Sequence, residues 1–111
     1  MSRIDFHNVH TMLGSDTIIN GSIELDEGII IYGRVNGDVV TNGPVRIAEN
    51  AIIQGNVRGS DVRVGGEVNG NIDSKGQVIL GKNCILKGNI IYKKLLIEDG
   101  AKFEGKCEIN N

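Results

Sequence analysis

Few residues of this sequence carry side chains that could do chemistry. The two histidines, His7 and His10, lie near the start with Asp5 as the nearby carboxylate; this set makes a poor metal site, so we interpret both as surface residues. Cys84 and Cys107 are the two cysteines, and a metal site or a disulfide would require more cysteines or histidines at defined spacings. We interpret both as small, reduced core residues.

The acidic residues do not form a catalytic arrangement either. They are spread through polar positions, and no carboxylate pair is flanked by apolar residues that would raise a pKa. The sequence has no P-loop and no dinucleotide-binding glycine pattern. We therefore expect a protein that is not an enzyme, with no catalytic, cofactor-binding or metal-binding residues and no nucleotide ligand.

The composition is typical of strands separated by glycine turns. The 111 residues include 17 isoleucines, 10 valines, 16 glycines and one proline. The formal net charge is −2 with both signs scattered, which argues against a nucleic-acid partner. No apolar run approaches the roughly 18 residues of a membrane span, and no signal peptide opens the chain. We therefore expect a cytoplasmic protein.

Most of the chain consists of copies of one alternating sequence unit. Along residues 62–72 every second residue is apolar or glycine and the others are mostly polar, which indicates extended chain with one buried face. Residues 29–39, 33 positions earlier, show the same alternation and the same two glycines. The first inward residues of successive copies are 29, 45, 62, 78 and 95, so each copy begins 16 or 17 positions after the one before it. An incomplete copy from Ile19 to Leu25 precedes them, which makes about six copies.

A period held over the whole length predicts a solenoid. We expect an all-β, single-stranded parallel β-helix of about six coils with a triangular cross-section. At about 4.8 Å per coil it would form a rod roughly 30 Å long with almost no helix. Asn-Gly pairs can also make hairpins, but the inward parity runs unbroken through Gly37 and Gly70, which favours stacked coils. In such a stack Gly33 would lie over Gly66, two turns away, and Gly37 over Gly70.

The start of the chain does not follow the repeat. We expect residues 1–15 to form an N-terminal tail or cap and residues 16–111 to form the β-helix domain. The apolar residues of the tail could pack over the first coil or enter a lipid surface. The certain cation beside them is Arg3, whereas stable membrane binding usually needs more basic residues. The candidate membrane contacts are Ile4, Phe6, Val9, Met12 and Leu13.

One alternative is the left-handed β-helix of hexapeptide-repeat acyltransferases, which assemble as trimers. Residues 47–53 and 80–86 have the hexapeptide character. The period of 16 to 17 positions is shorter than three full hexapeptides, which that fold requires for each coil. The repeat region also has no histidine to serve as general base. A second alternative is a small membrane-associated adaptor.

The repeats resemble those of bactofilins, the bacterial cytoskeletal proteins, over residues 14–109. The resemblance is carried by six glycine-containing copies in register and a closing Gly-Ala-x-Phe-x-Gly motif. The segments are Thr17-Ile-Ile-Asn-Gly-Ser-Ile, Gly33-Arg-Val-Asn-Gly-Asp-Val, Ala51-Ile-Ile-Gln-Gly-Asn-Val, Gly66-Glu-Val-Asn-Gly-Asn-Ile and Ile97-Glu-Asp-Gly-Ala-Lys-Phe-Glu-Gly-Lys-Cys. It implies a right-handed parallel β-helix that polymerises end to end without nucleotide. It also implies a scaffold for cell-wall enzymes or membrane proteins at the inner face of the cytoplasmic membrane.

The sequence agrees with polymerisation. Soluble solenoids cover their ends with polar caps, whereas the last coil here is followed by no helix, proline or charge cluster. The candidate polymer interface comprises Phe103, Cys107 and Ile109 in the last coil and Ile19 and Ile23 in the first. Ile52 and Ile85, two copies apart in the outward phase, form a candidate lateral stripe for bundling or for docking a partner.

Overall fold

A computed structural model describes residues 9–110, with side chains from residue 11 onward. Short strands joined by turns make up this region, and none of its residues is helical. The strands are β1 Val9–Leu13, β2 Ile18–Asn20, β3 Ile23–Leu25, β4 Gly28–Ile31, β5 Arg34–Asn36, β6 Val39–Thr41, β7 Val45–Ile47, β8 Ile52–Gln54, β9 Val57–Gly59, β10 Val62–Val64, β11 Glu67–Asn69, β12 Ile72–Ser74, β13 Gln77–Leu80, β14 Ile85–Lys87, β15 Ile90–Tyr92, β16 Lys94–Ile97, β17 Lys102–Glu104 and β18 Cys107–Ile109.

The strands form three six-stranded sheets in which every third strand is a neighbour. Sheet A runs β1-β4-β7-β10-β13-β16, sheet B runs from β2 to β17 and sheet C from β3 to β18, with all pairs parallel. Each coil therefore gives one strand to each side of a triangular rod, and coils 1 to 6 begin at β1, β4, β7, β10, β13 and β16. The longest extent is 31 Å. The predicted parallel β-helix of about six coils is confirmed; its right-handedness stays a prediction.

The core is a set of aliphatic columns along the rod axis. The alternation in each strand turns every second side chain inward, and parallel pairing between consecutive coils places equivalent residues above one another. Val45, Val62 and Val78 form one such column and are fully buried. Val35, Ile53, Val68 and Leu86 form another, also fully buried.

Two buried hydroxyls at the corner between sheets C and A were not predicted from the sequence. Ser74 Oγ donates to the Ser60 carbonyl at 3.1 Å and accepts from Gly76 N at 3.1 Å. Thr41 Oγ1, two coils earlier, donates to the Glu27 carbonyl and accepts from the Gly43 amide. These bonds satisfy polar groups that water does not reach, and they close the turn from one sheet into the next.

A column of glycines occupies the corner between sheets B and C. It contains Gly21, Gly37, Gly55, Gly70, Gly88 and Gly105. A Cβ on any of the last five would overlap the carbonyl oxygen of the glycine one coil earlier. Positive φ angles occur only at the first and the last two members of the column, so the middle three are required for space and not for a left-handed conformation. Gly37 and Gly70 share this column, as predicted.

An amide ladder accompanies the glycine column. Asn71 N donates to Asn56 Oδ1 at 2.9 Å, and Asn89 N donates to Asn71 Oδ1 at 2.9 Å. The same contact links Asn56 N to Asp38 Oδ1 at 2.8 Å and Lys106 N to Asn89 Oδ1 at 3.1 Å. Each of these side-chain oxygens therefore accepts from the backbone amide that follows the column glycine of the next coil, which stabilises that turn.

The boundary between tail and β-helix lies earlier than expected. Strand β1 pairs with β4 in sheet A, so residues 9–13 belong to coil 1 and not to a tail that ends at residue 15. Leu13 pairs with Ile31 and packs against the core. A register shift between Val9 and Thr11 interrupts the alternation, and this irregularity hid the strand in the sequence. Residues 1–8 lie outside the described residues.

Replacing Gly70 with alanine should destabilise the fold. The new Cβ would meet the Gly55 carbonyl far inside van der Waals contact, so the two coils must separate locally. We expect the free energy of unfolding to fall by about 1–3 kcal/mol, measured as the midpoint of urea denaturation. Gly14→Ala is the matched control, since its nearest atom lies at 3.6 Å. Equal midpoints for the two variants would contradict the steric explanation.

Candidate assembly surfaces

At the C-terminal end of the rod, the inward residues are less buried than the equivalent residues of coil 5. Ile90 is fully buried in coil 5, whereas its partner Cys107 in coil 6 is exposed. Leu80 is fully buried, whereas its partner Ile97 is 46% exposed. We define the C-terminal end by the inward residues of coil 6: Leu95, Ile97, Ala101, Phe103, Cys107 and Ile109. They point toward the core axis, with no further described coil above them.

The N-terminal end has the same character. We define it by the inward side chains of coil 1 that pack against the core: Leu13, Ile19, Ile23 and Leu25. Their partners one coil later include Ile31, Val35 and Val39, which are fully buried. The four residues are only half-buried because a coil covers them on one side alone. Both described ends of the core are therefore open.

The backbone is also unpaired on one side at each end of the rod. Strands β16, β17 and β18 each pair on one side, and β1, β2 and β3 pair on the other, so each end presents three strand edges. An unpaired strand edge is a template for another strand. Here the three edges surround an apolar core, so a second copy could continue both the hydrogen bonding and the burial.

The predicted interface residues occupy opposite ends of shared columns. Ile19 and Phe103 end the column that includes Val35 and Leu86. Ile23 and Cys107 end the column that includes Val39 and Ile90. Ile109, 57% exposed, lies at the C-terminal end as predicted. Leu25, Leu95 and Ile97 were not predicted as interface residues, although their inward parity could have identified them; Leu13 was not predicted because the alternation is interrupted in β1.

The two cysteines differ in environment. Cys84 is a buried core residue, and burial raises the pKa of its thiol, an effect that Glu98 reinforces and a backbone hydrogen bond from Lys102 opposes. Cys107 is exposed. The interpretation of Cys107 as a covered core residue is wrong, because its inward orientation in the last coil leaves it without a covering strand.

The candidate lateral stripe is interrupted by charge. Ile52 and Ile85 do lie in one outward column of sheet B, as predicted, but Glu67 lies between them and pairs with both. The whole column alternates apolar and charged residues: Ile18, Arg34, Ile52, Glu67, Ile85 and Lys102. Ile52 and Ile85 are each half-buried, so no continuous apolar stripe forms there.

The candidate membrane contacts are separated by the fold. Met12 is 63% exposed on the outer face of sheet A, whereas Leu13 packs against the core at the N-terminal end and is half-buried. Val9 lies in β1, and Ile4 and Phe6 fall outside the described residues. No helix within residues 9–110 is long and apolar enough to cross a membrane.

A groove of about 500 Å³ lies on the outer face of sheet C. It is bordered by the amide ladder and includes Val40, Ile91, Arg58 and Asp73. Arg58 Nε and Asp73 Oδ2 lie 4.0 Å apart and both side chains are largely exposed, so this ion pair adds little stability. Residues 9–110 contain no cluster of three or more metal-ligating side chains.

Comparison with known proteins decides the family. The profile of the bactofilin family, described as polymer-forming and cytoskeletal, matches residues 11–108. This chain belongs to the bactofilin family. A search of curated proteins found no significant match. Among solved structures, the chain is similar to the Thermus thermophilus bactofilin seen in a cryo-electron microscopy reconstruction of double helical filaments. The TM-score is 0.86 at 26% identity, and the match covers 91% of this chain and 100% of that chain.

Membership confirms the resemblance carried by the repeats, and with it a polymer-forming cytoskeletal protein that self-associates. It favours this family over the hexapeptide-repeat transferases. The open ends of the rod are the natural candidates for the surfaces through which this bactofilin polymerises.

Thiol labelling should report on the C-terminal end. In dilute, unassembled protein a maleimide should modify Cys107 and spare Cys84, because a buried thiol with a raised pKa is a poor nucleophile. On assembly the labelling of Cys107 should slow as the end is covered, measured by intact mass spectrometry against time. The Cys107→Ser variant controls for labelling of Cys84. An unchanged labelling rate in filaments would remove Cys107 from the interface.

Proposed function

We propose that this bactofilin assembles end to end into filaments, through contacts between the open ends of its β-helix, with neither nucleotide nor metal. One observation carries the proposal: the inward side chains of coils 2 to 5 are buried, apart from the half-buried Tyr92 in coil 5, whereas those described in coils 1 and 6 are half-buried or exposed. Adding a coil from a second copy would bury these residues and pair the strand edges in the same step. The driving force is then apolar burial and hydrogen bonding.

Phe103 is the largest apolar group at the C-terminal end. It follows Ile19, Val35, Ile53, Val68 and Leu86 in its column, so an aromatic ring replaces aliphatic side chains only in the last coil. Burying such a side chain fully stabilises by roughly 2 to 3 kcal/mol. Phe103 is already half-buried against its own core, so covering the rest of the ring would supply about 1 to 1.5 kcal/mol of the about 8 kcal/mol that a micromolar contact needs.

The filament would act as a scaffold. The family is a structural one, which supports a role without catalysis, and the resemblance described above supports the positioning of cell-wall enzymes or membrane proteins by the filament. The site of action would be the cytoplasm, at the inner face of the cytoplasmic membrane. The related Thermus filaments are double helical, and this supports side-by-side association of filaments of this chain.

Replacing Phe103 with arginine should abolish filaments and leave the fold intact. The charge would stand uncompensated inside a dry contact, which costs several kcal/mol, whereas coils 2 to 5 keep their own buried core. Electron microscopy of protein in EDTA without nucleotide should show filaments for the wild type and none for Phe103→Arg. Circular dichroism should show β-structure in both.

Glu104→Arg is the matched control, because Glu104 lies beside Phe103 in β17 but is exposed and points outward. It should still form filaments. Normal filaments from Phe103→Arg would exclude the C-terminal end as an assembly surface. Wild-type filaments that require nucleotide, or that dissolve in EDTA, would contradict the proposed assembly without cofactors.

Membrane contact is tested separately from assembly. Deleting residues 2–8 should abolish co-sedimentation with anionic vesicles and leave filaments intact, since β1 stays in place to cover Ile29 and Ile31. Met12→Glu should weaken co-sedimentation, because Met12 is an exposed apolar side chain on the outer face of β1 and the substitution would place a negative charge next to an anionic vesicle. Unchanged co-sedimentation of both variants would contradict a lipid-binding start, and loss of filaments on deletion would assign those residues to the assembly contact.

A further inference from the structure

The ionic side chains are distributed unevenly along the rod. Residues 9–44, which form coils 1 and 2, contain five acidic residues and one arginine. Residues 75–110, which form coils 5 and 6 and the corner before them, contain all seven lysines of the chain and four acidic residues. The rod therefore carries excess negative charge at its N-terminal half and excess positive charge at its C-terminal half, although the whole chain is nearly neutral.

One edge of the triangle concentrates this difference. We define the C/A edge as the corner between sheets C and A, from Asp26 in coil 1 to Lys93 after coil 5. Asn42 Nδ2 donates to Asp26 Oδ1 at 3.3 Å, and Lys93 N donates to the Gly76 carbonyl at 2.8 Å, so the turns stack in one line. Asp26 and Glu27 begin this line, Asp61 lies in its middle, and Lys75, Lys93 and Lys94 end it; all but the half-buried Asp61 are exposed.

The opposite charges are too far apart within one copy to neutralise each other. Four coil steps separate Asp26 from Lys93, which is about 19 Å at the spacing of parallel strands. The screening length at physiological salt is about 8 Å. Among residues 11–110 no hydrogen bond or ion pair engages the side chains of Lys75, Lys93 and Lys94. The three lysines lie on adjacent coils, so they repel one another until an anionic surface covers them.

We propose that the C/A edge is the surface through which two filaments of this chain lie side by side, with the lysines after coil 5 of one copy against the acidic coil 1 of its neighbour. The second copy is the partner because its own edge carries the complementary sign at the required place. Lys93 and Lys94 would face Asp26, and Glu24 would add charge from the adjoining face of coil 1. This inference rests on the proposed end-to-end filament, since repetition along a filament multiplies a contact that is weak in a single pair.

The corner between sheets A and B lacks this complementarity. The exposed residues of its turns include Asp16 in coil 1, Glu49 in coil 3, Lys82 in coil 5 and Asp99 in coil 6. With Glu98, also exposed in coil 6, this corner carries four acidic residues and one lysine, which gives two such edges a net repulsion. Asp16 and Lys82 nevertheless occupy the same coils as Asp26 and Lys93, so they provide substitutions with the same change of net charge at another edge.

The test compares filament pairing in four variants by negative-stain electron microscopy at about 0.1 M salt, where charges act over about 10 Å. Asp26→Lys and Lys93→Glu should each lower the ratio of paired to single filaments by about tenfold. Asp16→Lys and Lys82→Glu should leave this ratio near the wild-type value. Circular dichroism should show the same β-structure in all four, because every substituted side chain is exposed.

Charge exchange gives the decisive result. The double variant Asp26→Lys with Lys93→Glu again places opposite signs in contact, so its filaments should pair with one another as the wild type does. Raising the salt to about 1 M, where charges act over about 3 Å, should separate wild-type pairs into single filaments. Four results would each overturn the C/A edge as the lateral surface. Two of them are wild-type filaments that never pair and pairs that survive both single substitutions. The other two are filaments of the double variant that fail to pair and control variants that also lose pairing. If the wild type forms no filaments at all, the proposed end-to-end assembly fails instead.

Discussion

The structure depends on how closely the backbone of one coil can approach the next. Strands in a sheet lie about 4.8 Å apart, and a solenoid must keep that distance at its corners as well as along its sides. At the corner between sheets B and C this brings successive carbonyl groups against the Cα atoms of the glycine column, where no side chain fits. The amide ladder then satisfies the backbone amides just outside that column. This close approach restricts the corner to glycine in coils 2 to 6.

The regular part of the fold could be predicted because parity and spacing identify inward residues directly. The starts of the copies at residues 29, 45, 62, 78 and 95 are the residues that pair in sheet A. Strand β1 was missed because its register shift removes the alternation that identifies the other strands. The hydroxyls of Thr41 and Ser74 were missed because a small polar residue at an inward position gives no signal until its backbone partners are known.

The assembly surfaces were harder to predict than the coils. Inward parity shows that Phe103 and Cys107 point into the core, but whether a residue is covered depends on a further coil, and no described coil follows theirs. The predicted apolar stripe through Ile52 and Ile85 is not continuous, for another reason. Ile52 and Ile85 lie two coils apart, so the residue halfway between them decides the character of the surface, and that residue is Glu67. The 33-residue periodicity identifies residues in the same column, but the residue one coil away must also be identified before the surface of that column can be described.

The direction of the hydrogen bonds has a mechanical consequence. Parallel pairing of coils makes the backbone bonds of all three sheets run along the rod axis, so a filament under tension is stretched along its hydrogen bonds and not across them. Within a copy, the three sheets share that tension at every level, and the buried core columns resist separation with them. A junction between copies is held by contacts formed only on association. Such a filament should therefore break at its junctions before any copy unfolds, and the freed ends would keep the shape needed to rejoin.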